Sequence, residues 1–322
     1  MNQNIVDAVS SSFGACELLY FPKFNNGQDE RDVVRNLHEL FLQGNAQGIS
    51  FLASSGDEAG LECPTLKYAN GGNSKFVKGV STPASDPNVT AVGGTNLVTN
   101  VTAGSLDSSY STENAWSDPE VPYDPYQTGG LLRGGVWGAG GGYSHLWKLP
   151  EFQNGFPTGS TKWRALPDVG MQVGGCPKNL AQINKTPPYC TGGNNPKNGN
   201  GNADRSAVEV AVNVGLGGGF GGFIGTSVAS PEFLSVVALL IEAHGNNRLG
   251  NLNDYIYSLA KGQASGGPAF YHTGIPGYNG LVNTLLAPSY SLSTGVGTPV
   301  VNSFLIETSV PAAGVPQTPS NP

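Results

Sequence analysis

The sequence predicts an α/β fold built on a parallel sheet, and three observations carry that reading. Ile5 to Val9 (IVDAV) reads as a strand, Val33 to Phe41 as a helix and Gly48 to Ala53 (GISFLA) as a second strand. Strand, helix and strand in that order form a βαβ unit, whose two strands run parallel. The second strand is almost continuously apolar, as a strand covered on both faces must be. Farther on, Phe233, Val236, Val237, Leu240 and Ile241 fall at i, i+3, i+4, i+7 and i+8, the apolar stripe of a long helix.

Along the chain, the first strand runs into Ser10 to Glu17 (SSSFGACE). Val33, Leu37, Leu40 and Phe41 form the predicted inner face of the first helix, with Gly44 as its stop. The second strand ends in Ser54, Ser55, Gly56 and Asp57, a loop at a strand's carboxyl end, where ligands bind in open α/β sheets. Pro83 to Thr95 (PASDPNVTAVGGT) reads as a turn, a strand over Val89–Val92 and a glycine pair, and residues 100–136 show turn chemistry without a clear period. Gly138 to His145 (GAGGGYSH) and Leu166 to Gly170 (LPDVG) precede a polar loop reaching about Asp204. Val208 to Val214 reads as a strand feeding the glycine-rich stretch Leu216–Gly225.

The long helix is predicted to open at Pro231, whose missing N–H costs nothing in a first turn, with Glu232 at the positive end of the dipole. Gly245 stops it. Leu252, Tyr255, Ile256 and Leu259 mark one face of a further helix. From Val310 the chain is rich in Pro, Ala and Ser and is expected to be disordered, which leaves residues 1–309 as one domain and 310–322 as a tail.

Composition narrows the function. Charged residues make up 12% of the 322, about half the usual ~25%. A net charge of -7 with no Lys/Arg run argues against a nucleic-acid partner. A chain with few carboxylate ion pairs has less stability to lose in acid, which fits an acid-tolerant, secreted protein. No stretch approaches 18 apolar residues, so no membrane span is expected. The first residues lack a signal peptide's basic and apolar regions. The cysteines, Cys16, Cys63, Cys176 and Cys190, have neither Cys-x-x-Cys nor zinc-site spacing. A local disulfide between Cys176 and Cys190 is expected first and Cys16–Cys63 second, against the alternative of free thiols.

Chemistry concentrates at Gly225 to Pro231 (GTSVASP). A glycine-lined approach to a helix N-terminus lets another chain's backbone come close to Ser227. The plainer reading makes Ser227 and Ser230 helix caps. Of the histidines, His38 lies on an amphipathic helix, His145 follows a glycine loop, and His244 and His272 come after the serine, so none fits the logic of a Ser-His-Asp triad. All four read as solvated or structural.

Gly-Thr-Ser-x-Ala-Ser-Pro is shared by the subtilisins and the sedolisins, or serine-carboxyl peptidases. The sequence resembles the sedolisins along nearly its whole length: Ser12-Phe13-Gly14 with Cys16-Glu17, Ser55-Gly56-Asp57, the Pro83–Pro87 block with Val92–Thr95, Trp116, Gly140–Ser144 and Pro167–Val169 follow in the family's order. The resemblance implies a subtilisin-like parallel sheet with helices on both faces and hydrolysis of peptide bonds in polypeptides at acid pH. It assigns Ser227 as nucleophile and Asp57 as oxyanion donor, with Ser12, Phe13, Gly14, Gly140 and Gly141 binding substrate. It also implies an extracellular or periplasmic location.

Two departures stand out. The family's base pair, Glu-x-x-x-Asp on a helix, has no counterpart before Asp57, and Glu58 and Glu62, though spaced i,i+4, follow the oxyanion loop. The resemblance therefore implies an N-terminally truncated domain, with an N-terminal segment or propeptide as a partner and little turnover by this chain alone. The family's calcium carboxylates are replaced by His272 and Ser291, so no metal or other cofactor is expected. The alternative function is a non-catalytic peptide-binding pseudopeptidase.

Overall fold

The computed structural model describes residues 4–65, 67, 70–102, 107–118, 129–130, 132–133, 137–174, 208–212, 219–279 and 285–306. The elements used below are β1 (Ala8–Ser11), α1 (Arg31–Ala46), β2 (Ser50–Ser54), β3 (Thr90–Val101), β4 (Ser108–Ala115), β5 (Gly142–Lys148), β6 (Trp163–Leu166), β7 (Val169–Gln172), β8 (Val208–Val212), β9 (Gly219–Phe223), α2 (Thr226–Ala243), α3 (Asn253–Ala264) and α4 (Val301–Ile306).

The main sheet runs β1-β2-β3-β7, all parallel, with β4 folded back on β3 in antiparallel pairing. Ala8 lies opposite Ser50, Leu52 opposite Thr90 and Val92 opposite Val169. Because strand side chains alternate, the sheet has two apolar faces. Leu52, Val92 and Val169 meet Phe233, Val237 and Leu240 of α2, and behind them Ile256 and Leu259 of α3 and Phe304 of α4. Phe51, Ala53 and Ala91 face the other way, with Val80, Val89 and Leu166, and Phe41 of α1 packs against them. Each fully buried large apolar side chain here contributes about 1.5–3 kcal/mol.

Several expectations shift. The first paired strand begins at Ala8, and Ile5 stands in solvent. The strand expected at Val89–Val92 continues to Val101 and returns as β4, whose sequence (SSYSTENA) is polar enough to show no apolar alternation. The first helix forms, but turned from its expected face: Val33, Leu37 and Leu40 are 49%, 38% and 47% exposed, while Val34 is 1% exposed. Val34, His38, Phe41 and Asn45 face inward, because His38 and Asn45 find polar partners there.

The long helix opens at Thr226, so Pro231 lies inside it and Glu232 in its second turn. By length and composition alone α2 would be long and apolar enough to cross a membrane, a test that a buried core helix also passes; half of that window is buried inside the fold, with Phe233, Val237 and Leu240 in the core. Cys16 and Cys63 form a disulfide, with Cα atoms 5.0 Å apart. The expected Cys176–Cys190 bridge, residues 213–218 and the 310–322 tail lie outside the described residues.

Behind the sheet, Arg164 and Asp168 are completely buried together at 2.6 Å. Asp168 also accepts the amide of Ala91 at 2.8 Å and the hydroxyl of Tyr257. A buried pair survives only with such added donors. They hold the β6–β7 turn, and so the start of β7, in register with β3.

Candidate active site

The carboxyl ends of β1 and β2 and the N-terminus of α2 converge. Ser227 is the second residue of α2 and is exposed, while Thr226 beside it is buried. Gly225 caps the helix at φ +127° and ψ 166°, a conformation open only to glycine. Its amide donates to Val173 at 3.0 Å, which ties the turn to the chain leaving β7.

Asp57 lies in the loop after β2, turned toward this helix start. Its Oδ1 accepts both the Thr226 amide, at 2.8 Å, and the Thr226 hydroxyl, at 2.7 Å. Both donors fall on one oxygen, so Oδ2 is the oxygen free to carry a proton. Burial pushes the Asp57 acid up, and the two Thr226 hydrogen bonds only partly offset it. The Thr226 hydroxyl also lies 3.0 Å from the Gly56 carbonyl and 3.2 Å from the Gly56 amide, which donates to it. Loop and helix start form one hydrogen-bonded unit.

Ser12 reaches this unit from β1, its hydroxyl donating to the Ser227 carbonyl at 3.1 Å. In the next turn the hydroxyls of Ser10 and Ser230 share a hydrogen bond of 2.8 Å. Phe13 stands in solvent at 85% exposure, and Gly14 passes so close to Ser81 and Thr82 that a Cβ would come within 3.3 Å of each.

The glycines after Trp137 lie behind the loop. The amides of Gly138, Gly140 and Gly141 donate to the carbonyls of Asp57, Gly56 and Ala59. Gly140 and Gly141 are buried, and a side chain at either would overlap a carbonyl oxygen, of Ser55 or of Leu292. Their N–H groups are thus already used within the protein.

Glu62 is half-buried beneath the same loop, its carboxyl packed against the Cα atoms of Gly56 and Gly140. Its Oε1 accepts the Glu58 amide at 2.9 Å. Burial, with Glu58 and Asp57 close by, pushes its acid well above the usual carboxylate range. The i,i+4 spacing with Glu58 was the one sequence signal for it, and it marks a turn, not a helix face. Thr226 carried no signal beyond its place in the Gly-Thr-Ser run.

The histidines lie elsewhere. His38 on α1 donates from Nδ1 to Asp86 at 3.0 Å and stacks on Trp147, with ring centroids 4.6 Å apart. His272 stacks on Tyr110 at 4.1 Å. Ser291 is buried, exchanges backbone hydrogen bonds with Gly295 and accepts the Ser293 amide on its hydroxyl.

Comparisons with known proteins give the family and the fold. The model of the subtilase family of peptidases matches residues 1–270. Sedolisin of Pseudomonas sp. (strain 101) is 32% identical over 174 residues, 54% of this chain and 25% of that protein. Kumamolisin of Bacillus sp. (strain MN-32) is 26% identical over 296 residues, 88% of this chain and 40% of that protein. The chain therefore spans less than half the length of these relatives. A solved structure of Pseudomonas sedolisin (serine-carboxyl proteinase), complexed with two molecules of pseudo-iodotyrostatin, superposes with a TM-score of 0.66 at 26% identity. That match covers 95% of this chain and 66% of the other.

Proposed function

Because this chain belongs to the subtilase family, and within it to the sedolisin type, we propose that it carries the nucleophile and oxyanion half of a serine-type endopeptidase acting on polypeptides at acid pH. The observation that carries the reading is the exposed Ser227 at the start of α2, joined through Thr226 to the carboxyl of the half-buried Asp57. Ser227 Oγ would attack the peptide carbonyl carbon, its proton passing through a general base to the amine that leaves as the C–N bond breaks, and water would then hydrolyse the resulting acyl-enzyme. Asp57 would donate its Oδ2 proton toward the developing oxyanion, a role open only to the neutral acid. Burial favours that neutral form, which supports an acidic working pH.

Ser12, Phe13 and Gly14 would line an extended substrate, and Gly140 and Gly141 would shape the wall behind it. No Glu-x-x-x-Asp precedes Asp57 in these 322 residues, so the polypeptide by itself is expected to turn over little. The second reading is a peptide-binding protein that has kept the cleft. An extracellular location is supported by the Cys16–Cys63 disulfide, which belongs to oxidising compartments.

The family's calcium loop would not hold a hard cation here. His272 offers a stacked ring and Ser291 a hydroxyl already accepting a hydrogen bond, and neither brings charge. Among the described residues no group of three acidic, His or Cys side chains stands ready for a metal.

A fluorophosphonate probe tests the reading. Labelling of Ser227 at acid pH, absent in Ser227→Ala and fading as pH rises, is expected. Absence of labelling while an extended peptide still binds would overturn the peptidase reading in favour of the binding one.

A further inference from the structure

Glu232 sits in the second turn of α2, on the helix that Ser227 opens, and is half-buried against the end of β7. Gln172, the last residue of β7, donates from Nε2 to Glu232 Oε1 at 3.2 Å. Each side chain has a second acceptor, Glu232 Oε2 and Gln172 Oε1. Both are shut off from solvent and have no hydrogen-bond partner among the described residues. Two acceptors cannot satisfy each other, and a buried acceptor left unpaired is costly.

One proton resolves both. Placed on Glu232 Oε2, it donates to Gln172 Oε1 and closes a ring of two hydrogen bonds, acid to amide and amide to acid. We propose that Glu232 is protonated in the folded protein and that this acid–amide pair clamps the serine-bearing helix to the end of β7. Glu232 is thus a positioning residue, acting on Ser227 through the first turns of α2. The inference concerns the helix itself and stands apart from the peptidase reading.

The surroundings agree. The elements packed most closely on α2, namely β1, β2, β3, β7 and α4, contain no ionisable residue. The other acid on α2, Glu242, stands near its far end, and the neighbouring β8–β9 hairpin has one, Glu209. Burial pushes the Glu232 acid up to about 7, against the opposing pull of the Gln172 hydrogen bond. A raised acid binds more protons folded than unfolded, so it weakens the fold as pH climbs. That loss starts in the ordinary glutamate range, about 4.3, and is complete above about 7. The clamp is closed on the acid side.

The test follows the Glu232 carboxyl by ¹³C NMR in protein labelled at glutamate, assigned from Glu232→Gln. If that variant does not fold, the displaced resonance in Gln172→Met assigns it. A midpoint within about one unit of 7 is expected. Glu232→Gln offers an amide N–H where the acid offered O–H, so it should keep the ring at every pH. It should match the parent's melting temperature at pH 5 and exceed it at pH 8. A midpoint in the ordinary carboxylate range, or a Glu232→Gln protein that melts below the parent at pH 5 and pH 8 alike, would overturn the proposal.

Discussion

Ser12 donates its hydroxyl to the Ser227 carbonyl at 3.1 Å, and that carbonyl is free because Pro231, four residues on, has no N–H to offer it. The end of β1 thus supplies the donor that the helix lacks, at the residue proposed as nucleophile. Replacing Pro231 with Ala restores an N–H aimed at the same oxygen. Pro231→Ala should therefore make Ser12→Ala nearly neutral, whereas in the parent Ser12→Ala should cost about 0.5–1 kcal/mol. A double-mutant cycle by urea unfolding measures the coupling, and strict additivity would contradict it.

Thr226 holds the Gly56–Asp57 loop through its side chain as well as its amide. Thr226→Val keeps the shape, removes the hydroxyl and strands both Asp57 and Gly56 on one contact fewer. A loss of about 1–3 kcal/mol is expected for this buried site. Thr226→Ser should recover most of it, and guanidinium melts of the two variants decide.

The sign of the Asp57 shift sets a pH dependence. Its folded acid is raised, so the folded state binds more protons and stability falls as pH climbs from about 3.9 toward the raised value. Asp57→Asn keeps an acceptor for Thr226 and cannot ionise. It should match the parent in acid, exceed it toward neutral pH, and lose the fluorophosphonate reaction's pH dependence. Melting temperatures from pH 3 to 8 check the first part.

Sequence periodicity located α1, α2 and α3 because each has a real apolar stripe, yet it misjudged how two of them sit. On α1 the count of apolar residues favoured Val33, Leu37 and Leu40, but His38 and Asn45 turn inward to meet Asp86 and Asn88. Polar pairing across the fold leaves no mark on a single sequence. On α2, Pro231 looked like a first-turn residue because the usual cost of an interior proline is met from outside the helix, by Ser12. Ser227 and Asp57 were legible through the motifs around them. Thr226, Glu62 and Glu232 were not, since their roles depend on burial and on partners distant in the chain.

His38 predicts the opposite variant effect from Asp57. The Asp86 carboxylate holds its imidazolium above the ordinary histidine range, although burial pulls the other way. A raised base stabilises the fold below the unfolded value, about 6.5, and that contribution is lost as pH climbs through the folded value. His38→Gln should melt below the parent at pH 5 and approach it at pH 8. The stacked Trp147 gives an independent reading: its fluorescence should change over the same pH window in the parent and stay flat in His38→Gln.

Gly225 is the strictest test of the site's geometry. At φ +127° any side chain is strained, and a Cβ there would lie 2.7 Å from Asp57 Oδ2. Gly225→Ala combines a backbone penalty of about 1–3 kcal/mol with displacement of the Asp57 carboxyl. Gly27 separates the two costs, because it too has a positive φ, +84°, but nothing within 4 Å of its Cβ position. Gly27→Ala should show only a backbone penalty. Gly225→Ala should lose more stability, and its remaining pH dependence should resemble that of Asp57→Asn, because an Asp57 pushed toward water titrates normally. Equal losses in the two alanine variants, with the parent's pH dependence intact, would mean that Asp57 does not press on Gly225 as described.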